Sequence, residues 1–227
     1  MKVSSALTAR KSVRAFTEQA VDESVIRKIL ALAGHAPSGV NTQPWEVAVV
    51  TGDAKVALQT AIESEARKGT PNSLEYKYYP DTWVEPYKSR RKACGLAMFS
   101  TLGITREDKD RQLEQWMANY RAFDAPVMLL FFIDDILETG SYLDYGMFIQ
   151  SIMLVALEHG ISSCPQAALA EYPAAVRDAL GYPESKKLIC GMALGYEDKT
   201  ALVNSYRTDR LPIDEYTRFF SESIRQP

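Results

Sequence analysis

The run Pro126-Val127-Met128-Leu129-Leu130-Phe131-Phe132-Ile133 is the clearest strand in the chain. Its apolar character does not alternate, so both faces are expected to be covered, which places it inside a sheet with a layer on either side. Downstream, Tyr142 to Glu158 reads as a helix that is apolar almost all the way round, with Leu143, Tyr145, Phe148, Ile149, Ile152, Met153, Leu154 and Leu157. A helix of that kind is buried, either centrally or at a subunit interface. Glu171 to Leu180 reads as a shorter helix and Lys187 to Tyr196 as a last strand, before a polar tail carrying Arg207, Arg210 and Arg218. Upstream, Asp22 is placed to cap a helix whose apolar positions Val25, Ile26, Ile29, Leu30, Leu32 and Ala33 recur at helical spacing and stop near Gly34. A turn rich in Pro, Ser, Gly and Asn follows from Ala36 to Pro44 and leads into the β-prone run Trp45 to Val50. Asp53 to Lys68, Lys88 to about Ser100 and Arg106 to Tyr120 complete the helices. Helices outnumber strands and alternate with them imperfectly, so the expected class is α+β, a small mixed β-sheet flanked by helices.

The 227 residues suit one domain, 1–227, with an excursion over about 69–121. A net charge of −3 offers no field to gather a polyanion, so nucleic acid is not an expected partner. Met1 to Arg14 has no apolar run of signal-peptide length, and no stretch approaches the ~20 apolar residues of a membrane span. The expectation is a cytoplasmic protein without a membrane partner. Cys94, Cys164 and Cys190 are widely spaced, which suggests buried reduced thiols, and His35 and His159 are too few and too separated to suggest a metal site or a nucleophilic triad. The absence of a GxGxxG turn and of a GxxxxGK[ST] loop means that any phosphate must be held by side chains.

Two segments are equipped to do that. Arg10-Lys11-Ser12-Val13-Arg14 sets three cations and a hydroxyl within five residues, an anion site in miniature, although a solvated basic patch has the same composition. Pro37-Ser38-Gly39-Val40-Asn41-Thr42-Gln43-Pro44-Trp45 offers hydroxyl, amide and glycine positions for close approach to a flat heterocycle, and equally reads as a helix-to-strand connection.

Together, RxSxR followed by PSGxNxQPW resembles the paired signature of the FMN-dependent nitroreductase family. The resemblance continues through Gly160-Ile161-Ser162-Ser163-Cys164-Pro165-Gln166-Ala167, through Gly191 to Tyr196, and to the late Ser205-Tyr206-Arg207. Glu85-Pro86-Tyr87 and Arg90-Arg91 look like the bacterial nitrobenzoate-reductase subgroup. The family likeness implies a three-layer sandwich, a lid formed by the aromatic-rich excursion, a homodimer and a C-terminal extension that reaches the partner. It implies that Arg10 and Arg207 grip the FMN phosphate, that Lys11 and Ser12 add contacts, and that Arg14 lies at the N1/O2 edge of the flavin, where a cation stabilises the charge of the reduced ring. It further implies that Pro37, Ser38 and Gly39 approach the ring with Asn41 nearby, and that Pro165, Gln166 and Ala167 give backbone contacts near N5 from the partner side of the interface.

The activity so implied is ping-pong: NAD(P)H (NADH or NADPH) gives hydride to flavin N5, and a nitroaromatic, quinone or similar small aromatic substrate then takes the electrons. No catalytic side chain is required, because the cofactor carries the reactive atom. Two rivals stand beside it. A reductive dehalogenase or flavin-consuming enzyme of the same fold is the first, its dehalogenase form disfavoured by Ala167, which stands where the resemblance puts a threonine hydroxyl in dehalogenating relatives; a non-catalytic flavin-binding protein is separated by whether nicotinamide reduces the flavin.

Overall fold

The computed structural model describes residues 1–221 of the chain; the last six positions of the expected domain, 222–227, lie outside the described residues. Seven helices are described: α1 Val3–Ala9, α2 Glu23–Ala33, α3 Gly52–Arg67, α4 Tyr87–Thr101, α5 Lys109–Met117, α6 Thr139–Glu158 and α7 Pro173–Leu180. Four strands, β1 Glu46–Thr51, β2 Val127–Asp134, β3 Ser162–Gln166 and β4 Lys186–Gly195, form one sheet in the order β1-β2-β4-β3.

The expected inner strand is β2, paired on both sides and buried along nearly its whole length. Its side chains alternate between two cores. Val127, Leu129, Phe131 and Ile133 meet Ile26 and Ile29 of α2 and Phe148 and Ile152 of α6. Met128, Leu130 and Phe132 meet Leu58 and Ile62 of α3, Met117 of α5 and Val176 of α7. Two helical layers on a central sheet are the three-layer sandwich, and each fully buried apolar side chain contributes roughly 1.5–3 kcal/mol to it. Asp22 caps α2 as expected, its carboxylate accepting the Ser24 N–H at 2.7 Å.

Two expectations are corrected and one unanticipated strand is added. The sheet is not mixed: all three strand ladders are antiparallel, and among the described residues the parallel pairing is the single bridge between Ser12 and Ser163. Strand direction follows from how connections cross the layers, which local periodicity does not encode. The residues Ser162–Gln166 form a strand although they lack the β-branched and aromatic character that marks one, because pairing with the apolar β4 supplies the burial. Finally, Cys94 is exposed, while Cys164 and Cys190 are buried.

The α6 helix buries one face in the core and leaves Leu143 72% exposed. Its Tyr145 hydroxyl lies 2.9 Å from the carbonyls of both Glu46 and Phe132 and accepts the Glu46 N–H at 3.0 Å, pinning the helix to β1 and β2. The excursion between α3 and β2 is fastened where Ile189 is an extra residue in β4, Phe131 pairing with Cys190 and Phe132 with Leu188. There the Glu75 carboxylate accepts the Leu188 N–H at 2.7 Å and the Tyr76 hydroxyl donates to the Ile189 carbonyl at 3.0 Å.

Candidate functional site

Arg10 follows the last residue of α1, and from there the chain is extended, with Ser12 bridged to Ser163 of β3 and the Val13 N–H donating to the Ser163 carbonyl at 3.1 Å. An extended segment sends alternate side chains the same way, so Arg10, Ser12 and Arg14 share one face while Val13 is buried on the other. This is the physical content of the RxSxR spacing. The segment is clamped by Asn204, whose side-chain oxygen accepts the Arg14 N–H at 2.8 Å and whose amide donates to the carbonyls of Ala15 and Asp198 at 2.8 and 2.9 Å.

Arg10, Lys11, Ser12 and Arg14 line a cleft of about 410 Å³ together with Cys94, Tyr206, Arg207 and Arg210. The cations in it differ in what occupies them. Lys11 is paired with Glu197 at 2.6 Å and donates to the Asn204 carbonyl. Arg207 donates to the Thr8 carbonyl at 2.8 Å and to that of Ala9, satisfying the C-terminus of α1. Arg14 donates to the Tyr206 hydroxyl at 3.1 Å and lies 5.9 Å from the centre of that ring. Arg210 folds back on the carbonyls of Thr208 and Asp209. The half-buried Arg10 guanidinium has no hydrogen-bond or ion-pair partner among the described residues; burial, then Arg210, then Arg207 push its pKa down. Like charges held together in a concave site, one of them without a partner, fit a multiply charged oxyanion, and the donor set matches the phosphate of FMN.

The Pro165-Gln166-Ala167 passage continues the same strand, two to four residues beyond Ser163. It lines a second cavity of about 360 Å³ with Tyr76, Tyr78, Tyr142 and Ile149. Through Ser163 it is joined to the Ser12 segment of its own chain. The Gln166 amide nitrogen is engaged by Asn119, donating to its carbonyl at 3.0 Å, so Gln166 offers the cavity its backbone; its Oε1 is buried without a partner among the described residues. Ala167 opens a short 3-10 turn, Ala167–Ala170, and carries no side-chain donor. Burial pushes the Cys164 thiol up, against the smaller opposing effect of Arg14, which suits a structural cysteine.

The Pro37–Asn41 turn is not brought to either cavity within one chain. Gly39 donates to the buried Asp144 carboxylate at 3.1 Å, and the Ser38 hydroxyl accepts the Gln43 N–H at 2.9 Å. With 3.6 residues per turn, Asp144 is on the far side of α6 from Tyr142, Gly146 and Ile149, which face the second cavity. Val40, Asn41 and Gln43 all have left-handed backbones, with φ of 43°, 59° and 48°, and Val40 is 98% exposed. That conformation is costly for a β-branched residue such as Val40. Trp45, stacked on Phe148 at 4.8 Å, anchors the turn's exit.

Sequence reasoning did not find Asn204, Tyr206 or Cys94 as parts of the cleft, nor Asp144 as the anchor of the turn. Arg210 was visible as a tail cation three residues after Arg207, without a site to assign it to.

A family model described as the nitroreductase family matches residues 7–196. The chain is 35% identical to 4-nitrobenzoate reductase of Pseudomonas putida over 94% of this chain and 93% of that protein. The solved FMN- and NADPH-dependent nitroreductase NfnB of Sphigopyxis sp. strain HMH is 40% identical, with a TM-score of 0.95 over 98% of this chain and 100% of that one. The FMN-dependent NfnB of Mycobacterium smegmatis, solved in complex with NADPH, is 35% identical with a TM-score of 0.90, covering 96% of this chain and 100% of that one.

Proposed function

The chain belongs to the nitroreductase family, and from that premise we propose that it is an FMN-dependent oxidoreductase that carries electrons from NAD(P)H to nitroaromatic and similar electron-poor acceptors, as a cytoplasmic homodimer. The observation that carries this reading is the partnerless Arg10 guanidinium facing Arg207 and Arg210 in one cleft. FMN, when bound, supplies the two-electron chemistry; the protein supplies binding, orientation and charge.

Arg10, Arg207 and Arg210 hold the phosphate tail, with Ser12 adding a hydroxyl. Lys11, already neutralised by Glu197, contributes position more than charge. Arg14 is held by Asn204 and Tyr206 as a fixed cation for the electron-rich edge of the ring. The backbone of Pro165, Gln166 and Ala167 borders the ring, and the tyrosines of the second cavity give a flat acceptor surfaces to stack on. No side chain is assigned as acid or base.

What one chain leaves incomplete supports the homodimer. Pro37, Ser38, Gly39 and Asn41 sit behind α6 and reach a flavin only on a second copy. Apolar surface stands uncovered at Leu143 on α6 and along the tail at Ile213, Tyr216, Phe219 and Phe220. Among the described residues the outer edge of β1 is unpaired, beside a groove of about 900 Å³ that includes Leu30, Val49 and Val56, which supports a seat there for the tail of a second copy. No described helix is long and apolar enough to cross a membrane.

Replacing Arg10 and Arg207 with Ala is expected to strip the cofactor from purified protein, read as loss of the flavin absorbance. Retention of full FMN occupancy by the double variant overturns the assignment, and elution as a monomer at micromolar concentration overturns the dimer.

A further inference from the structure

The α4 helix carries an unneutralised charge that the cofactor site does not use. Between Trp83 and Thr105 the chain has four cations, Lys88, Arg90, Arg91 and Lys92, and one acid, Glu85, which is turned to accept the Ser89 N–H at 3.2 Å. None of the four cations has a carboxylate partner among the described residues, and no residue of α4 is buried. In a protein of net charge −3 such a strip is not a by-product of general basicity.

Its position gives it a use. Cys94 of α4 lines the basic cleft with Arg10, Arg207 and Arg210. Arg91, Arg90 and Tyr87 precede Cys94 by three, four and seven residues, so helical spacing puts them on the same face of α4, up to about 10 Å along it from the cleft's edge at Cys94. The two guanidiniums are not loose. Arg90 lies 5.8 Å from the centre of the Tyr87 ring and Arg91 5.2 Å from that of Trp83. A guanidinium seated on a ring keeps its in-plane N–H groups free for an oxyanion and gives up less freedom on binding it.

We propose that this face of α4 binds the phosphorylated adenosine half of the nicotinamide donor, with Arg90 and Arg91 on a ribose 2′-phosphate and the Tyr87 and Trp83 rings bordering the adenine, so that the enzyme uses NADPH in preference to NADH. The inference rests on the flavoenzyme reading above and adds to it the residues that choose between the two donors. A carboxylate on the aromatic acceptor is the weaker occupant. One carboxylate needs one arginine, and the acceptor's cavity at Tyr76, Tyr142 and Pro165 contains no cation.

The test uses the FMN-loaded protein, with nitrobenzene as a neutral acceptor, and compares wild type with the exposed-site variants Arg90→Gln/Arg91→Gln and Lys88→Gln/Lys92→Gln. The ratio of kcat/KM for NADPH over that for NADH is expected to be roughly tenfold or more in wild type, the scale of one charge-assisted contact, and to collapse towards unity in the arginine variant through KM. The lysine variant is expected to lose part of the preference and part of its salt dependence. In parallel, calorimetric titration with 2′,5′-ADP and with 5′-ADP reads the site without redox chemistry: the former binds wild type and not the arginine variant. Equal use of NADH and NADPH by wild type, a loss shared equally by both donors, or an effect seen solely in the KM for a carboxylated nitroaromatic acceptor overturns the proposal. A protein that is colourless and takes up no FMN overturns the flavoenzyme reading instead, while the 2′,5′-ADP titration still decides this one.

Discussion

The side-chain oxygen of Asn204 accepts the backbone N–H of Arg14 at 2.8 Å, joining positions 190 residues apart in the chain. The same amide donates to Ala15 and Asp198, so one buried side chain fixes the extended segment that carries Arg10 and Arg14. Asn204→Ala leaves the Arg14 N–H without its acceptor, at about 1–3 kcal/mol for a group left unsatisfied, and takes one of two donors from the Ala15 and Asp198 carbonyls, which keep the N–H groups of Asp198 and Ala201 respectively. The expected outcome is a lower urea midpoint for the FMN-free protein and weaker FMN binding by fluorescence titration. An unchanged FMN affinity would mean that the clamp does not set the geometry of the site.

How much of this was legible in the sequence depends on the range of the contact. The β2 strand announces itself because burial on both faces demands an unbroken apolar run, and the RxSxR segment because alternate positions of an extended chain share a face. Ser162–Gln166 is silent because its burial comes from the neighbour it pairs with. Asn204, Arg210 and Cys94 reach the cleft by tertiary placement, and no local pattern near Arg10 points to them. The turn at Pro37 was legible as a turn between helix and strand, but the intervening α6 that separates it from its own chain's cavities was not.

Gly191 is required by space. A Cβ there would stand 2.5 Å from Leu169 Cδ1, 2.9 Å from Leu169 Cβ and 3.0 Å from the Leu129 carbonyl oxygen. A backbone oxygen in the middle of a sheet cannot retreat, so Gly191→Ala is expected to cost roughly 1–3 kcal/mol as overpacking. Leu169 belongs to the Ala167–Ala170 turn that borders the second cavity, so the strain is expected to appear in FMN affinity as well. Denaturation and flavin titration on the same preparation read both; a variant of wild-type stability would show that the turn yields freely.

The stability of the protein is expected to carry a pH signature from Glu171. Burial pushes its carboxyl above the ordinary value of 4.5, and the Tyr120 hydroxyl, donating at 2.6 Å, offsets only part of this. With the folded pKa above the unfolded one, the contribution is fully present below about pH 4.5 and is lost as pH rises through the folded value. Glu171→Gln keeps an acceptor for Tyr120 and does not titrate. The stability of the variant relative to wild type is therefore expected to rise between pH 4 and pH 7, measured by urea unfolding across that interval, and a difference independent of pH would remove Glu171 as its source.

Thiol reactivity offers a location test that depends on neither substrate nor turnover. Cys94 is exposed and lines the basic cleft, whereas Cys164 and Cys190 are buried, burial pushing the Cys190 thiol up to about 12. The thiolate is the reactive form, so alkylation requires both access and ionisation, and only Cys94 has access. Iodoacetamide is expected to add once to the FMN-free protein, at Cys94 by peptide mass mapping. Because the cleft is assigned to the phosphate tail, saturation with FMN is expected to slow that reaction, while riboflavin, which lacks the phosphate, protects far less. Equal protection by the two would place the flavin's contact with Cys94 elsewhere than at its phosphate, and no protection by FMN would remove the cleft of Arg10, Arg207 and Arg210 as the cofactor's anchor.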